Sequence, residues 1–321
     1  MRALVFLCLL MPALAVQAQE LSNWRDSASR SAIVEFVEAV SREDSPDFVP
    51  AAERIAVFDN DGTLWAEQPA YFQLFFALDR VRAMSAEHPD WRTRQPFKAA
   101  IEGDLEAVAA TGLEGVLQLV TASHSGMSSE QFSEQAAAWL SQARHPQSGR
   151  LYTQMVYQPM LELLGYLRAS GFTVFIVSGG GAEFVRAFSE PVYGIPRNQV
   201  VGSTIEMKYD DSAEQPFVER LPAIAFVNDK AGKPVGIQRH IGRRPIAAFG
   251  NSDGDFEMLA WTTAGAGRRL GVLLHHTDAE REWAYDRDSH IGKLSRGLDE
   301  GAARGWVIVD MKKDWKAVFP E

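Results

Sequence analysis

Short apolar runs that stop abruptly at polar, glycine-rich segments recur along this chain. Ile55 to Phe58 is uninterruptedly apolar and ends at Asp59-Asn60-Asp61-Gly62-Thr63. Val174 to Val177 ends at Ser178-Gly179-Gly180-Gly181, and Ile246 to Phe249 ends at Gly250-Asn251-Ser252-Asp253-Gly254-Asp255. Gly271 to Leu274, ending at His275-His276, and Trp306 to Val309, ending at Asp310, repeat the pattern. Such runs, separated by helical patterns like Pro159 to Ser170 and Ala182 to Phe188, predict a parallel sheet buried on both faces within an α/β core. In open sheets of this kind ligands bind outside the carboxyl ends of the strands. Three of the runs end there in side chains able to handle anions or a metal, a coincidence that structural turns alone do not explain.

Helical spacing governs two other regions. Ile33, Val34, Phe36, Val37 and Val40 predict a leading helix between Leu21 and about Val40, and Asp44 to Pro50 reads as a loop. Between the first two apolar runs, Trp65 to Phe172 is rich in helical patterns, among them Tyr71 to Met84, Ala99 to Ala110 and Ser129 to Ala143. A connection that long is not structureless in a compact domain. It predicts a helical insertion positioned as a cap beside the strand ends.

The first residues carry a different pattern. Arg2 precedes an apolar stretch from Ala3 through Val16, with small residues at Ala13, Ala15 and Ala18, which reads as a secretory signal peptide cleaved after Ala18. The stretch is short of the roughly 20 apolar residues of a membrane span, so no membrane association is expected after cleavage. Export, to the periplasm, follows. The only cysteine, Cys8, lies inside the signal, so the processed chain has no disulfide, thiolate metal site or Cys nucleophile. The expected division is a signal at residues 1–18, a core at 19–65 and 155–321, and a helical cap at 66–154.

Composition changes the picture only by exclusion. The 321 residues are 46% hydrophobic and 23% charged, which excludes disorder and coiled coil. With 32 basic against 42 acidic residues the net charge is −10, so nucleic acid is not an expected partner.

The chemistry lies at the strand ends. Carboxylates at i and i+2 after a strand point to the same face, which places Asp59 and Asp61 at the mouth of one site. Two adjacent negative charges are costly without a cation, and a hard divalent ion with oxygen ligands is the natural partner. Mg²⁺ fits best, since it is held by one or two carboxylates plus waters and substrate phosphate. Gly62 permits a sharp turn after the pair, and the Thr63 hydroxyl is able to bond the loop or a ligand oxygen.

Asp59-Asn60-Asp61-Gly62-Thr63-Leu64 resembles the first motif of the haloacid dehalogenase superfamily of phosphohydrolases. Val177-Ser178-Gly179-Gly180 resembles the second motif, Lys233 the third, and Gly250-Asn251-Ser252-Asp253-Gly254-Asp255 the fourth, all in order from about Arg54 onward. The long separation of the first two motifs resembles the phosphoserine phosphatase-like branch, whose helical cap is inserted there. The resemblance implies a Rossmann-like core, an aspartyl-phosphate intermediate and Mg²⁺ as cofactor. It implies Asp59 as nucleophile and Asp61 as acid and then base, with Asp61 also giving its backbone carbonyl to the metal. Thr63, Ser178, the Gly179 amide and Lys233 would bind and neutralise the phosphoryl oxygens. Lys230 and Arg239 lie near enough in sequence to contest Lys233, which is favoured because it opens the helical stretch leading into the third strand.

The fourth motif departs from the family pattern. Asn251 stands where members often place a metal-binding aspartate; its carbonyl oxygen still suits Mg²⁺, but it brings no charge. The metal set is therefore Asp59, Asp61, Asn251 and Asp255, with Asp255, and Asp253 as an alternative, taking a larger share.

Other residues have competing readings. His275, His276 and Asp278 resemble a metal cluster, yet adjacent histidines point to opposite sides of a strand. Trp65, Glu67, Tyr71 and Phe72 either face the substrate or pack the hinge between cap and core. The leading expectation is an exported Mg²⁺-dependent phosphomonoesterase acting on a small soluble phosphate ester. A phosphotransferase on the same residues and a non-catalytic protein that captures a phosphorylated ligand remain open alternatives.

Overall fold

The computed structural model of the chain describes residues 21–321; the expected signal at 1–18, with Cys8, lies outside them. The described residues contain nine strands in one sheet: β1 (Ile55–Phe58), β2 (Met127–Ser128), β3 (Thr173–Gly181), β4 (Val200–Asp210), β5 (Phe217–Phe226), β6 (Ala247–Gly250), β7 (Leu270–Thr277), β8 (Ala284–Tyr285) and β9 (Val307–Asp310). The five expected runs became β1, β3, β6, β7 and β9. With the start of β4 they pair in parallel in the order β4-β3-β1-β6-β7-β9, a Rossmann-like α/β core.

Successive side chains on these strands are buried on opposite faces, as period-two geometry requires. Ala56, Phe58, Val174 and Ile176 join one apolar cluster, with the leading helix on that side. Ile55, Val57, Val177 and Ala248 join another, packed by Ile237, Met258 and Leu259. Phe58 and Phe249, side by side on β1 and β6, stack with ring centroids 4.2 Å apart. Burying a ring this fully stabilises by roughly 1.5–3 kcal/mol, and it fixes the two strand ends that carry the site. The leading helix is Ala28–Ser41, seven residues later than the apolar pattern from Leu21 indicated, because the Ser27 hydroxyl accepts the Arg30 amide and caps it.

Between β1 and β3 lie six α-helices: Phe72–Met84, Phe97–Glu102, Leu105–Ala110, Gly112–His124, Ser129–Leu140 and Gln158–Ala169. The pattern over Ala99 to Ala110 is two helices rather than one. Gly103 turns left-handed at φ 77° and ends the first, and the Asp104 carboxylate accepts the Ala107 amide to start the second. The first four of these helices, with Trp91 from the turn Pro89–Arg92, share an apolar cluster in which Leu78, Val81, Phe97, Val108 and Leu119 are also buried.

Strands β2, β4, β5 and β8 were not among the expected runs. The long antiparallel hairpin β4–β5 leaves the parallel core, and β2 pairs with β5 at Met127 opposite Arg220, so the hairpin reaches the helical region. Its sequence alternates, as in Ile205-Glu206-Met207-Lys208-Tyr209, where the core strands are continuously apolar. Asp210 closes the turn by accepting the Ser212 amide and hydroxyl. Among the described residues no helix is long and apolar enough to cross a membrane.

Candidate active site

The parallel strands end on one side, and the turn after β1 is built tightly. The Asp59 amide donates to the Phe249 carbonyl at 2.9 Å, and the Asn60 carbonyl accepts the amides of Thr63, Leu64 and Trp65. Gly62 sits at φ 72°, and a Cβ there would lie 2.1 Å from Asn251 Nδ2 and 2.4 Å from Glu67 Oε1. Only glycine fits this conformation and this space. His276 on β7 reaches across and holds the Gly62 carbonyl through Nε2 at 2.8 Å. Its other nitrogen faces Glu282 at 3.1 Å. Burial alone would lower its pKa, but Glu282 and the other acceptors around it hold it above the usual value.

Lys233 stands on the helix Gly232–His240, nearly fully buried. Its Nζ donates to Asp59 Oδ1 at 2.5 Å, Asp255 Oδ1 at 2.7 Å and the Val177 carbonyl at 2.8 Å. Of the three cations considered from sequence, Lys233 is the one that reaches these carboxylates; Arg239 instead lies over the Phe226 ring. Burial would depress the ammonium's pKa, yet Asp255 and Asp59 keep it above the ordinary lysine value. Burial and the neighbouring Asp255 hold the Asp59 carboxyl well above the usual range, against the pull of Lys233. Burial likewise raises Asp61, whose Oδ1 accepts the Trp65 indole N–H at 2.8 Å.

The loop after the apolar part of β3 runs alongside. The Ser178 hydroxyl is fully buried and accepts the Gly180 amide at 3.0 Å, while its carbonyl takes an Asn228 Nδ2 donor. The Gly181 amide donates to Gln73 Oε1, and Gln73 Nε2 lies 3.0 Å from His124 Nε2. Helix Phe72–Met84 thereby reaches the glycine loop directly.

At the end of β6 the three candidate residues diverge. Asp255 turns into the centre: its Oδ2 accepts the amides of Asn251 and Ser252, and its Oδ1 accepts Lys233. Asp253 turns away and accepts the amides of Ser295, Arg296 and Gly297. The Asn251 side-chain Oδ1 accepts the Thr63 hydroxyl at 3.2 Å, and its Nδ2 donates to Glu67 Oε1 at 2.7 Å. Glu67 is 1% exposed, also accepts the Tyr285 hydroxyl at 2.7 Å, and is pushed by burial up to about 8.

A cavity of about 330 Å³ opens over these groups. Asp59, Asp61, Gly179, Lys233 and Asp255 line it together. Thr63, Ser178 and Asn251 are buried beneath and hold the loops that present the lining residues. Of the four residues with competing readings, Glu67 and Tyr71 line the cavity, whereas Trp65 and Phe72 are fully buried against each other, ring centroids 4.8 Å apart.

Comparison with known proteins bears on this arrangement. The family model described as haloacid dehalogenase-like hydrolase matches residues 56–260. The chain belongs to this family. Among solved structures, a conserved protein of unknown function from Anaerococcus prevotii DSM 20548 is 18% identical, with a TM-score of 0.54 over 80% of this chain and 87% of that one. A protein of unknown function from Bordetella pertussis Tohama I is 16% identical, with a TM-score of 0.51 over 81% of this chain and 99% of that one. Both likenesses concern the fold. No curated protein sequence matches the chain. Haloacid dehalogenase-like hydrolases thus supply the fold on which the strand-end residues sit.

The donor set of this haloacid dehalogenase-like site fits a hard divalent cation. Asp59, Asp61, Glu67, Glu183, Asp229 and Asp255 bring six carboxylates to the cavity; Lys233 bonds Asp59 and Asp255, and Arg186 pairs with Glu183. Among the described residues no three His, Cys, Asp or Glu side chains are grouped closely enough to hold a metal ion by themselves. Mg²⁺ keeps several waters and takes few protein carboxylates, so it would draw on only part of this set. Gln73 was missed as a working part of the site, while Glu67 and His276 had only competing readings. Glu67 had a signal in its nearness to the first motif; the other two are joined to the loops only by tertiary contacts.

Proposed function

We propose that the protein is a Mg²⁺-dependent phosphomonoesterase that hydrolyses a small phosphate ester through an aspartyl-phosphate. The carrying observation is the pairing of one buried ammonium, Lys233, with Asp59 and Asp255 beside Asp61 and the glycine loop. Asp59 attacks phosphorus, forming a carboxyl–phosphate bond as the ester P–O bond breaks. Asp61 gives its proton to the departing oxygen, then takes one from the water that attacks phosphorus and frees Asp59. The Gly179 amide and Lys233 bind the phosphoryl oxygens. Asp59, the Asp61 carbonyl, Asn251 and Asp255 would hold Mg²⁺, which when bound neutralises charge on the transferring group. Ser178 and Thr63 position the loops. The helical region from Phe72 to Leu140, with the β4–β5 hairpin, acts as the cap that selects the ester. The N-terminal pattern supports export to the periplasm.

The test is hydrolysis of p-nitrophenyl phosphate by the chain with and without Mg²⁺. Turnover that requires the ion is expected. No turnover in either condition, with inorganic phosphate still bound, would leave a phosphate-capturing protein and sink the enzyme.

A further inference from the structure

The cavity has a second end that the proposed chemistry does not use. Besides the strand-end groups its lining takes apolar side chains from two other elements: Val116, Leu117 and Val120 come from helix Gly112–His124, and Ile205, Met207 and Ile224 from the β4–β5 hairpin. Eight large hydrophobic side chains are exposed among the described residues, and four of them, Tyr71, Leu113, Met207 and Val227, line this one cavity. Leu113 is 73% exposed and Met207 50%, so half of the large apolar side chains left in water gather at this one cavity. Concentrated exposed apolar surface beside convergent polar groups marks a ligand contact.

Three of the polar side chains that line the cavity, Gln73, His124 and Arg220, are already committed within the protein. Gln73 bonds Gly181 and faces His124, whose Nδ1 lies 2.8 Å from the Ser123 hydroxyl. His124 is held neutral, its pKa pushed by burial down to about 3, with Arg220 and Arg80 adding to the effect. Arg220 is 5% exposed, donates to the His124 carbonyl at 2.8 Å and lies over the Phe132 ring. A polyhydroxylated or zwitterionic leaving group would lose water against the apolar lining and find these three groups already bonded.

We infer that the ester this site takes has an apolar leaving group, an alkyl or aryl alcohol whose body lies against helix Gly112–His124 and the β4–β5 hairpin while its phosphate meets Asp59 and Lys233. The inference rests on the phosphomonoesterase reading and names its substrate class. A cavity of about 330 Å³ limits that body to a ring or a short chain.

The experiment is kcat/KM for straight-chain alkyl phosphates from methyl to octyl, whose leaving groups are equally acidic and differ only in apolar surface. Each buried methylene is expected to raise kcat/KM about fourfold until the cavity is full. Glycerol phosphate and phosphoserine should fall below the alkyl ester of similar size. Leu117→Asn and Met207→Gln should each reduce the rise per methylene to about twofold. A flat series with every ester turned over would overturn the inference and leave the phosphomonoesterase standing. An ω-carboxyalkyl phosphate better than its alkyl parent would also overturn it, because Arg220 would then be reading a charged tail. Failure to turn over any ester, p-nitrophenyl phosphate included, would remove the phosphomonoesterase reading itself.

Discussion

At the floor of the cavity each group is tied to several others, whereas at the roof the lining is left largely unbonded. Lys233 makes three hydrogen bonds and Asp255 accepts from Lys233, two amides and the Ser252 hydroxyl. The Asp59 loop is pinned by the Phe249 carbonyl on one side and by His276 on the other. The roof consists of one helix and one hairpin whose apolar side chains face open space. Charge buried in a low dielectric is stable only when fully partnered, which demands rigidity; apolar contact demands only area. The floor is therefore built for chemistry that tolerates little displacement, and the roof for a fit that permits substitution.

The sharpest break of this comparison is at the nucleophile. Asp59→Asn should lower kcat by about 10⁴-fold or more while the far-ultraviolet circular dichroism spectrum stays unchanged. Roof substitutions such as Leu117→Asn should act only through the ester's length dependence. Substantial activity in Asp59→Asn would show that the attacking group had been assigned wrongly.

Lys233→Met tests the rigidity of the floor. It leaves Asp59 and Asp255 buried without their shared cation, and breaking a buried pair this way costs about 3–5 kcal/mol. Urea unfolding should show that loss, and added Mg²⁺ should recover part of it by binding the same carboxylates. A stability within 1 kcal/mol of the parent, about the size of an exposed pair, would mean that the ammonium is not holding the floor together.

Glu67→Gln probes the departure at Asn251. Glu67 accepts the Asn251 side-chain Nδ2; burial favours its neutral form, and a divalent cation bound nearby would draw out its ionised form, placing a negative charge near the position where family members often have an aspartate. A supporting group of this kind is worth about 10- to 100-fold in metal affinity, read by calorimetric titration of Mg²⁺ or Mn²⁺. Asn251→Asp in the Glu67→Gln background should restore it. Unchanged affinity in Glu67→Gln would reduce Glu67 to a packing role between Gly62 and Gly292, where a Cβ would lie 1.9 Å from its Oε1.

The same contrast explains what the amino-acid pattern revealed. The floor was legible because a strand buried on both faces has an unbroken apolar run, and its polar stop marks the ligand end. Asp59, Asp61, Lys233 and Asp255 all came to the cavity from such stops or from the helix that feeds one. Asp253 was an open alternative because spacing does not show that it would cap Ser295 to Gly297. The roof was not legible. On helix Gly112–His124, Leu119 enters the neighbouring apolar cluster while Val116, Leu117 and Val120 line the cavity, and all four are equally apolar in sequence. In the hairpin, alternation identifies a strand but is the same whether the apolar face meets water, core or ligand.

The smallest expected effect concerns whether the roof stays uncharged. His124 is buried against Phe76 and Phe132, with ring centroids at 5.4 and 4.8 Å, and Arg220 and Arg80 add positive charge nearby. Its folded pKa of about 3 lies below the ordinary histidine value, about 6.5 in the unfolded chain. Between these two values the unfolded chain binds the proton and the folded one does not, so the stability due to this group is whole above pH 6.5 and declines as pH falls. At pH 5 the decline amounts to about 2 kcal/mol. His124→Phe removes the group and loses the contact to Gln73, so its unfolding free energy at pH 7 should be lower than the parent's. The informative quantity is the slope: between pH 6.5 and 5 the variant should lose about 2 kcal/mol less than the parent. Parallel slopes in urea titrations would mean that His124 is already protonated in the folded protein, and the roof would then carry a charge over the apolar wall.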